Sequence, residues 1–174
     1  MTVDILRAAI RDVPDFPKPG ILFKDITPVL SNPALFKMAV DILADRHSNS
    51  RIDKVCAVEA RGFIFAAAVA YKLGAGLVPI RKKGKLPYKT LEASYDLEYG
   101  SATLQMHLDA LKKNERVLLI DDLLATGGTA AATAQLIEKL GGTIVEIEFL
   151  VELSFLKGRE KLSKYKVFSP ISFA

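Results

Sequence analysis

The sequence predicts a single α/β domain in which helices flank both faces of a mainly parallel, twisted sheet. From residue 52 onward, short apolar runs alternate with helical stretches, as in parallel strands joined by crossover helices. Glycines such as Gly74 and Gly141 follow the helical stretches and end them. The chain has 174 residues, of which 50% are hydrophobic and 25% charged, enough for one buried core. Residues 1–174 are therefore expected to form one domain.

The first 33 residues are expected to form a small N-terminal hood, with residues 34–174 as the core. Four apolar residues have helical spacing and predict a short amphipathic helix: Val3, Leu6, Ile10 and Val13. Residues 14–20 hold three prolines and a glycine, which predict turns. Ser31 or Asn32 before Pro33 is a helix start, and the apolar stripe from Leu35 to Leu43 predicts the helix that follows.

The core region reads as strands and helices in turn. Its segments are a strand at Val55–Val58, a helix at Gly62–Leu73, strands at Leu77–Ile80, about Ala102–Met106 and Val117–Ile120, a helix at about Thr129–Leu140 and a strand at Ile144–Val151. Residues 88–100 sustain neither a strand nor a helix period, so a long loop, a candidate lid, is expected there.

Composition limits the partners. The net charge of +4 and the pI of about 9.1 point weakly to anionic ligands. Cys56 is the only cysteine, which rules out an intrachain disulfide. His47 and His107 lie apart without an acidic cluster in the sequence, so both are expected at the surface and no zinc site is expected. The apolar run Phe63–Tyr71 is too short to span a bilayer, and charges interrupt the N-terminus, so a cytoplasmic protein without membrane contact is expected.

The segment Val117–Thr129 is the most informative. It reads as a buried strand, then Asp121 and Asp122, then a loop of small residues that opens a helix. Backbone amides of such a loop can surround a phosphate at the helix N-terminus, and paired carboxylates can accept hydrogen bonds from a ribose diol. A strand that ends in acidic residues before a Gly-rich turn is also common in α/β proteins without any role in ligand binding. The segment lacks the dinucleotide and P-loop glycine patterns.

This segment resembles the phosphoribosyl diphosphate signature of the type I phosphoribosyltransferases. Five further blocks are similar to that family in the same order: Phe16–Ile26, Glu59–Phe63, Arg81–Pro87, Ala93–Gly100 and Val151–Leu153. The resemblance implies a glycosyltransferase of purine salvage that moves the 5-phosphoribosyl group from phosphoribosyl diphosphate to adenine, giving AMP and diphosphate. It also implies Mg²⁺ carried mainly by the diphosphate, no dedicated protein metal ligands, a flexible catalytic loop at about residues 85–101 and a homodimer.

The resemblance assigns roles residue by residue. The ribose 5-phosphate is expected at Asp121, Asp122, Ala125, Thr126, Gly127, Gly128 and Thr129. The diphosphate and lid contacts are expected from Glu59, Ala60, Arg61, Arg81, Lys82, Lys85 and Tyr99. The base is expected against Leu22, Phe23, Lys24 and Leu123. Glu98 and Arg61 are the expected catalytic residues, with Glu98 near the purine imidazole edge.

Taken one at a time, these residues have simpler interpretations. Arg61 can pair with Glu59 at the surface, and the basic run from Arg81 to Lys85 can be solvated. Many relatives carry arginine where this chain has Lys24, which puts a side-chain role there in doubt. The rival functions are transfer to a 6-oxopurine such as xanthine or guanine and, from another class, a nucleic-acid-binding regulator of the same fold. No nucleic-acid motif accompanies the basic run, so no nucleic-acid partner is expected.

Overall fold

A computed structural model describes residues 2–96 and 101–174. The helices are α1 (Thr2–Ala9), α2 (Thr27–Ser31), α3 (Pro33–Ala44), α4 (Gly62–Leu73) and α5 (Gly128–Lys139). The strands are β1 (Arg11–Pro14), β2 (Leu22–Asp25), β3 (Lys54–Val58), β4 (Gly76–Lys82), β5 (Thr90–Asp96), β6 (Ser101–His107), β7 (Arg116–Leu124), β8 (Thr143–Leu153), β9 (Val167–Phe168) and β10 (Ile171–Phe173). Short 3₁₀ turns lie at Asp45–His47, Ser154–Leu156 and Gly158–Leu162.

The main sheet is mixed, and most of its pairs are parallel. Its order is β10-β8-β7-β3-β4-β6-β5, with β9 paired to β8. The pairs around β3, β7 and β8 are parallel, whereas β6 runs antiparallel to both β4 and β5. Helix α4 connects β3 to β4, and α5 connects β7 to β8. The predicted mainly parallel α/β sheet is confirmed, with an antiparallel hairpin added at one edge.

The period-two alternation along β7 explains why both faces of the sheet are covered. Leu118 and Ile120 belong to a core cluster with residues of α3 and α4. Val117 and Leu119 belong to a second cluster with residues of α5. Successive side chains of a strand point to opposite faces, so the continuous apolar run builds two cores at once. These cores fix the end of β7 where the acidic pair stands.

Two helix boundaries inferred from capping residues are confirmed. Asn32 caps α3, since its Oδ1 accepts hydrogen bonds from the amides of Ala34 and Leu35 at 3.0 and 3.2 Å. Gly74 ends α4 in the left-handed conformation, with φ at 67°. None of the helices among the described residues combines the length and the apolar character needed to cross a bilayer.

Two element predictions were wrong. The N-terminal helix ends at Ala9, and Val13 lies in β1, which pairs with β2 as an antiparallel hairpin. Residues 90–96 form β5, although a loop was expected across 88–100. The alternation is present at Leu91, Ala93 and Tyr95, which pack against the second core cluster. The alternation is weak in the sequence because alanine and serine differ little in hydrophobicity.

Candidate active site

The phosphate-binding candidate is the turn from β7 into α5, residues 125–129, which we call the cradle. It lines a small cavity of about 80 Å³ together with Asp121 and Leu123. Gly127 immediately precedes α5 with φ at 78°, a left-handed conformation that favours glycine. The first amides of α5 have no partner within the helix and carry its positive dipole end. The cradle therefore offers donors to an anion.

Backbone packing behind the cradle leaves no room for side chains. A Cβ added to Gly127 would overlap the carbonyl oxygen of Gly158, and a Cβ added to Gly158 would overlap the carbonyl oxygen of Ala125. The two glycines thus allow the 3₁₀ turn Gly158–Leu162 to pack directly against the cradle. Sequence reasoning did not identify Gly158, since its need for glycine comes from a contact distant along the chain.

The acidic pair lies inside β7 and not in the loop after it, which corrects the predicted end of the strand at Ile120. Asp121 is partly buried, and its Oδ1 accepts a hydrogen bond from the Asp122 amide at 2.9 Å. Burial first, and the charge of Asp122 second, raise the pKa of the Asp121 carboxyl well above its usual value. A Cβ on Gly62 would lie 2.7 Å from Asp121 Oδ1, so α4 begins tightly against this acid.

Arg61 pairs with the acidic pair, so the alternative of an Arg61–Glu59 surface pair is wrong. Its Nε lies 2.7 Å from Oδ2 of Asp122, a residue only 5% exposed. The guanidinium also lies 5.2 Å from the centre of the Phe23 ring. The turn before it contains a cis peptide bond between Glu59 and Ala60. Arg61 thus connects the N-terminal hairpin to the ribose candidates.

Glu59 organises the basic segment after β4. Its carboxylate accepts hydrogen bonds from the Lys82 amide at 2.7 Å, from Arg81 at 3.2 Å and from Lys85 at 3.3 Å. Burial raises the pKa of Glu59, but these bonds together hold it below its usual value. The Lys82 ammonium has no carboxylate partner within the part of the chain that the structure describes. Arg81 and Lys85 are thus held by Glu59, whereas the Lys82 ammonium is available to an anion.

A larger cavity of about 390 Å³ joins these groups. It is lined by the cis turn at Glu59–Arg61, by Lys82, by the acids of β7 and by Leu123 and Thr129. Of the predicted diphosphate residues, Glu59, Ala60, Arg61 and Lys82 thus share one space with the acidic pair, whereas Arg81 and Lys85 do not line it. This position is the carboxyl end of neighbouring parallel strands, where α/β sheets bind ligands.

The N-terminal hairpin supplies the candidate base contacts. Leu22 is 49% exposed, and Phe23 packs edge-on against Phe16 with ring centres 5.1 Å apart. The Lys24 ammonium hydrogen-bonds Asp12 at 2.6 Å and lies 4.1 Å from the centre of the Phe173 ring. The Lys24 side chain is therefore engaged by Asp12 and Phe173. Glu98 and Tyr99 lie outside the described residues.

One expectation about the histidines was wrong. His47 is 4% exposed, with Nε2 at 2.8 Å from Glu148 Oε1 and 3.4 Å from Glu146 Oε2. Arg46 pairs with the same two carboxylates, at 2.7 Å and 3.5 Å. Burial is the main cause that raises the pKa of Glu148. Among the described residues, the ligand atoms of His47, Glu146 and Glu148 lie close enough together to hold a metal. The sequence did not indicate this cluster because the glutamates lie in β8 and the histidine in the turn after α3.

Comparisons with known proteins give a consistent result. Residues 25–173 match the family described as "Phosphoribosyl transferase domain". An adenine phosphoribosyltransferase of Geotalea daltonii is 57% identical over 168 residues, covering 97% of this chain and 98% of the relative. A crystal structure of the Thermoanaerobacter pseudethanolicus enzyme of that name superposes with a TM-score of 0.95 at 50% identity, covering 98% and 99% of the two chains. A Saccharomyces cerevisiae structure, complexed with an imino-altritol bisphosphate and adenine, gives a TM-score of 0.92 at 40% identity, covering 97% and 98%.

Proposed function

Because this chain belongs to the adenine phosphoribosyltransferases within the phosphoribosyl transferase domain family, we propose that its site moves the 5-phosphoribosyl group from phosphoribosyl diphosphate to adenine. The products are AMP and diphosphate. The observation that carries the proposal is the single cavity in which paired acids, a phosphate cradle and cations meet. The chain is thus a pentosyl-transferring enzyme of purine salvage.

The ribose 5-phosphate is assigned to the cradle and the acidic pair. The amides of residues 125–129 and the hydroxyls of Thr126 and Thr129 donate to the phosphate. Asp121 and Asp122 accept hydrogen bonds from the two ribose hydroxyls. Arg61 lies 2.7 Å from Asp122 and so positions that carboxylate beside the ribose.

Charge at the leaving group sets what catalysis requires. Departure of the diphosphate leaves positive charge on the ribose ring, so cations on the diphosphate and tight positioning lower the barrier without a protein nucleophile. Arg61 and Lys82 line the cavity, and Glu59 holds Arg81 and Lys85 next to it. We assign these four cations to the diphosphate. A cation on each end of the leaving group disperses its developing negative charge.

The base site is assigned to the N-terminal hairpin. Phe23 and Leu22 offer apolar surface, and the backbone at Lys24 offers hydrogen-bonding groups to the purine edge. On the sequence resemblance alone, Glu98 manages the proton of the base as N9 attacks C1 of the ribose. Glu98→Ala should therefore slow turnover by about 100-fold while affinity for phosphoribosyl diphosphate stays the same. A variant with full turnover would remove Glu98 from the mechanism.

Magnesium, assembly and location complete the proposal. Mg²⁺ prefers oxygen ligands and keeps several waters, so substrate diphosphate oxygens suit it; the carboxylates that line the cavity are Glu59, Asp121 and Asp122. When bound, the ion neutralises charge on the diphosphate. We also propose that the enzyme is a cytoplasmic homodimer. Sedimentation of the purified protein tests the dimer, since a monomer at micromolar concentration would contradict it.

One assay separates the candidate functions. The protein is incubated with Mg²⁺, phosphoribosyl diphosphate and one purine base at a time, and the nucleotide product is measured. We expect AMP from adenine and at most trace product from guanine, xanthine or hypoxanthine. Efficient product from a 6-oxopurine would assign the chain to that rival substrate class. Binding of duplex DNA at moderate salt with no turnover on any base would instead support the regulator.

A further inference from the structure

Tyr95 contacts the cradle from outside the loop that forms it. Its side chain is partly buried in the edge strand β5 and packs against the second core cluster. Its phenol oxygen lies 3.1 Å from Thr129 Oγ1, which donates the hydrogen bond. Thr126, the other hydroxyl residue of the cradle, is exposed, and its hydroxyl has no partner within residues 2–96 and 101–174. Thr129 is therefore held from outside the cradle, and Thr126 is not.

The hydrogen-bonding capacity of the two hydroxyls determines what this contact does. Each hydroxyl has one proton and accepts two hydrogen bonds, whereas phosphate oxygens only accept. Thr129 is the donor in its contact with Tyr95, and a phosphate in the cradle needs that same proton. When Thr129 donates to the phosphate, Tyr95 can keep the contact only by donating to Thr129 Oγ1. The result is a chain from phenol to Thr129 to phosphate in which each bond strengthens the next.

We propose that Tyr95 is a positioning residue for the phosphoribosyl group, acting through the Thr129 hydroxyl. The phenol directs the single proton of Thr129 toward the 5′-phosphate and fixes the side chain rotamer. The inference rests on the proposed binding of the 5′-phosphate by residues 125–129. Tyr95 also lines the 390 Å³ cavity together with Asp121, Asp122 and Thr129, so its side chain borders the proposed ribose space.

The test is a double-mutant cycle on AMP binding and on turnover. Tyr95→Phe keeps the ring that packs on the core and removes the hydroxyl. We expect the KM for phosphoribosyl diphosphate and the Kd for AMP to rise about fivefold, with the KM for adenine and kcat within about twofold. Thr129→Val should also raise the KM for phosphoribosyl diphosphate and the Kd for AMP. In the Thr129→Val background, Tyr95→Phe should have no further effect, because the phenol acts only through that hydroxyl.

Tyr165 provides a matched control at the other end of α5. Its hydroxyl donates to Glu138 Oε1 at 2.9 Å, so Tyr165→Phe also removes one phenol bond to this helix. Glu138 is in the last turn of α5 and Thr129 in the first. We expect Tyr165→Phe to leave both constants at the wild-type value. Thermal melts of all variants, read by circular dichroism, follow any loss of folding.

The outcomes are distinct. Wild-type constants for Tyr95→Phe would overturn the proposal, as would an equal loss with and without the Thr129 hydroxyl, which would show that Tyr95 acts by packing alone. A lower melting temperature does not obscure the result, because a general packing effect appears in both backgrounds and cancels in the cycle. A wild-type protein that binds AMP away from the cradle or forms no AMP would instead refute the proposed function itself.

Discussion

Gly127 gives the sharpest test of the cradle, because two separate penalties act on any side chain there. Gly127→Ala must adopt a left-handed φ of 78°, which costs a non-glycine residue about 1–2 kcal/mol. Its Cβ would also overlap the carbonyl oxygen of Gly158, so the cradle or the turn behind it must move. Displaced backbone adds about 2 kcal/mol, in the range of strained core substitutions. The expected loss of unfolding free energy is about 3–4 kcal/mol.

Gly74→Ala is the matched control for Gly127→Ala. Gly74 also has positive φ, at 67°, but a Cβ there would meet no atom within 4 Å. It should therefore lose only the conformational part, about 1–2 kcal/mol, and should keep the wild-type KM for phosphoribosyl diphosphate. Gly127→Ala should raise that KM more than tenfold. Urea unfolding and steady-state kinetics measure both. Equal losses for the two variants, or an unchanged KM for Gly127→Ala, would refute the role of the backbone contact.

Two further predictions concern pH and have opposite signs. The pKa of Asp121 is raised, so the wild type binds a proton more tightly when folded and loses stability as pH rises from about 4 through the folded pKa. Asp121→Asn should therefore match or exceed wild-type stability at pH 8, and this advantage should shrink towards pH 4. A variant that is less stable than the wild type at every pH would contradict this. The pKa of Glu59 is lowered, so its bonds stabilise the fold above about pH 4 and are lost as pH falls through the folded pKa. Glu59→Gln should cost about 1–2 kcal/mol at pH 7, and this cost should shrink as pH falls through the folded pKa. A pH-independent loss in urea titrations would show that packing is responsible.

The sequence predicted the parts of the fold that depend on local pattern. Helix α4 and its end at Gly74 follow from an apolar stretch closed by glycine, and the cap at Asn32 follows from the residue before Pro33. The apolar run of β7 predicted a buried strand on both faces. The strand β5 was missed because Ala93 and Ser94 blur the alternation that its pairing with β6 makes plain.

The same distinction between local pattern and distant contacts applies to the candidate site. Residues adjacent in sequence, such as those of the cradle, were found as one motif, and the structure places them around one cavity. Individual contacts between residues that are distant along the chain do not follow from the sequence pattern. Gly158 presses on the cradle from 31 positions beyond Gly127, and His47 meets Glu148 from 101 positions away. The partner of Arg61 is Asp122 for the same reason, since parallel pairing of β3 with β7 brings their ends together.

A crystal structure of the protein with AMP tests the central claim most directly. We predict the 5′-phosphate within hydrogen-bonding distance of the amides of residues 125–129 and of Thr129 Oγ1. The ribose hydroxyls should lie against Asp121 and Asp122, and the adenine should lie next to Phe23. A nucleotide bound anywhere else, or bound with its phosphate turned away from the cradle, would contradict the account.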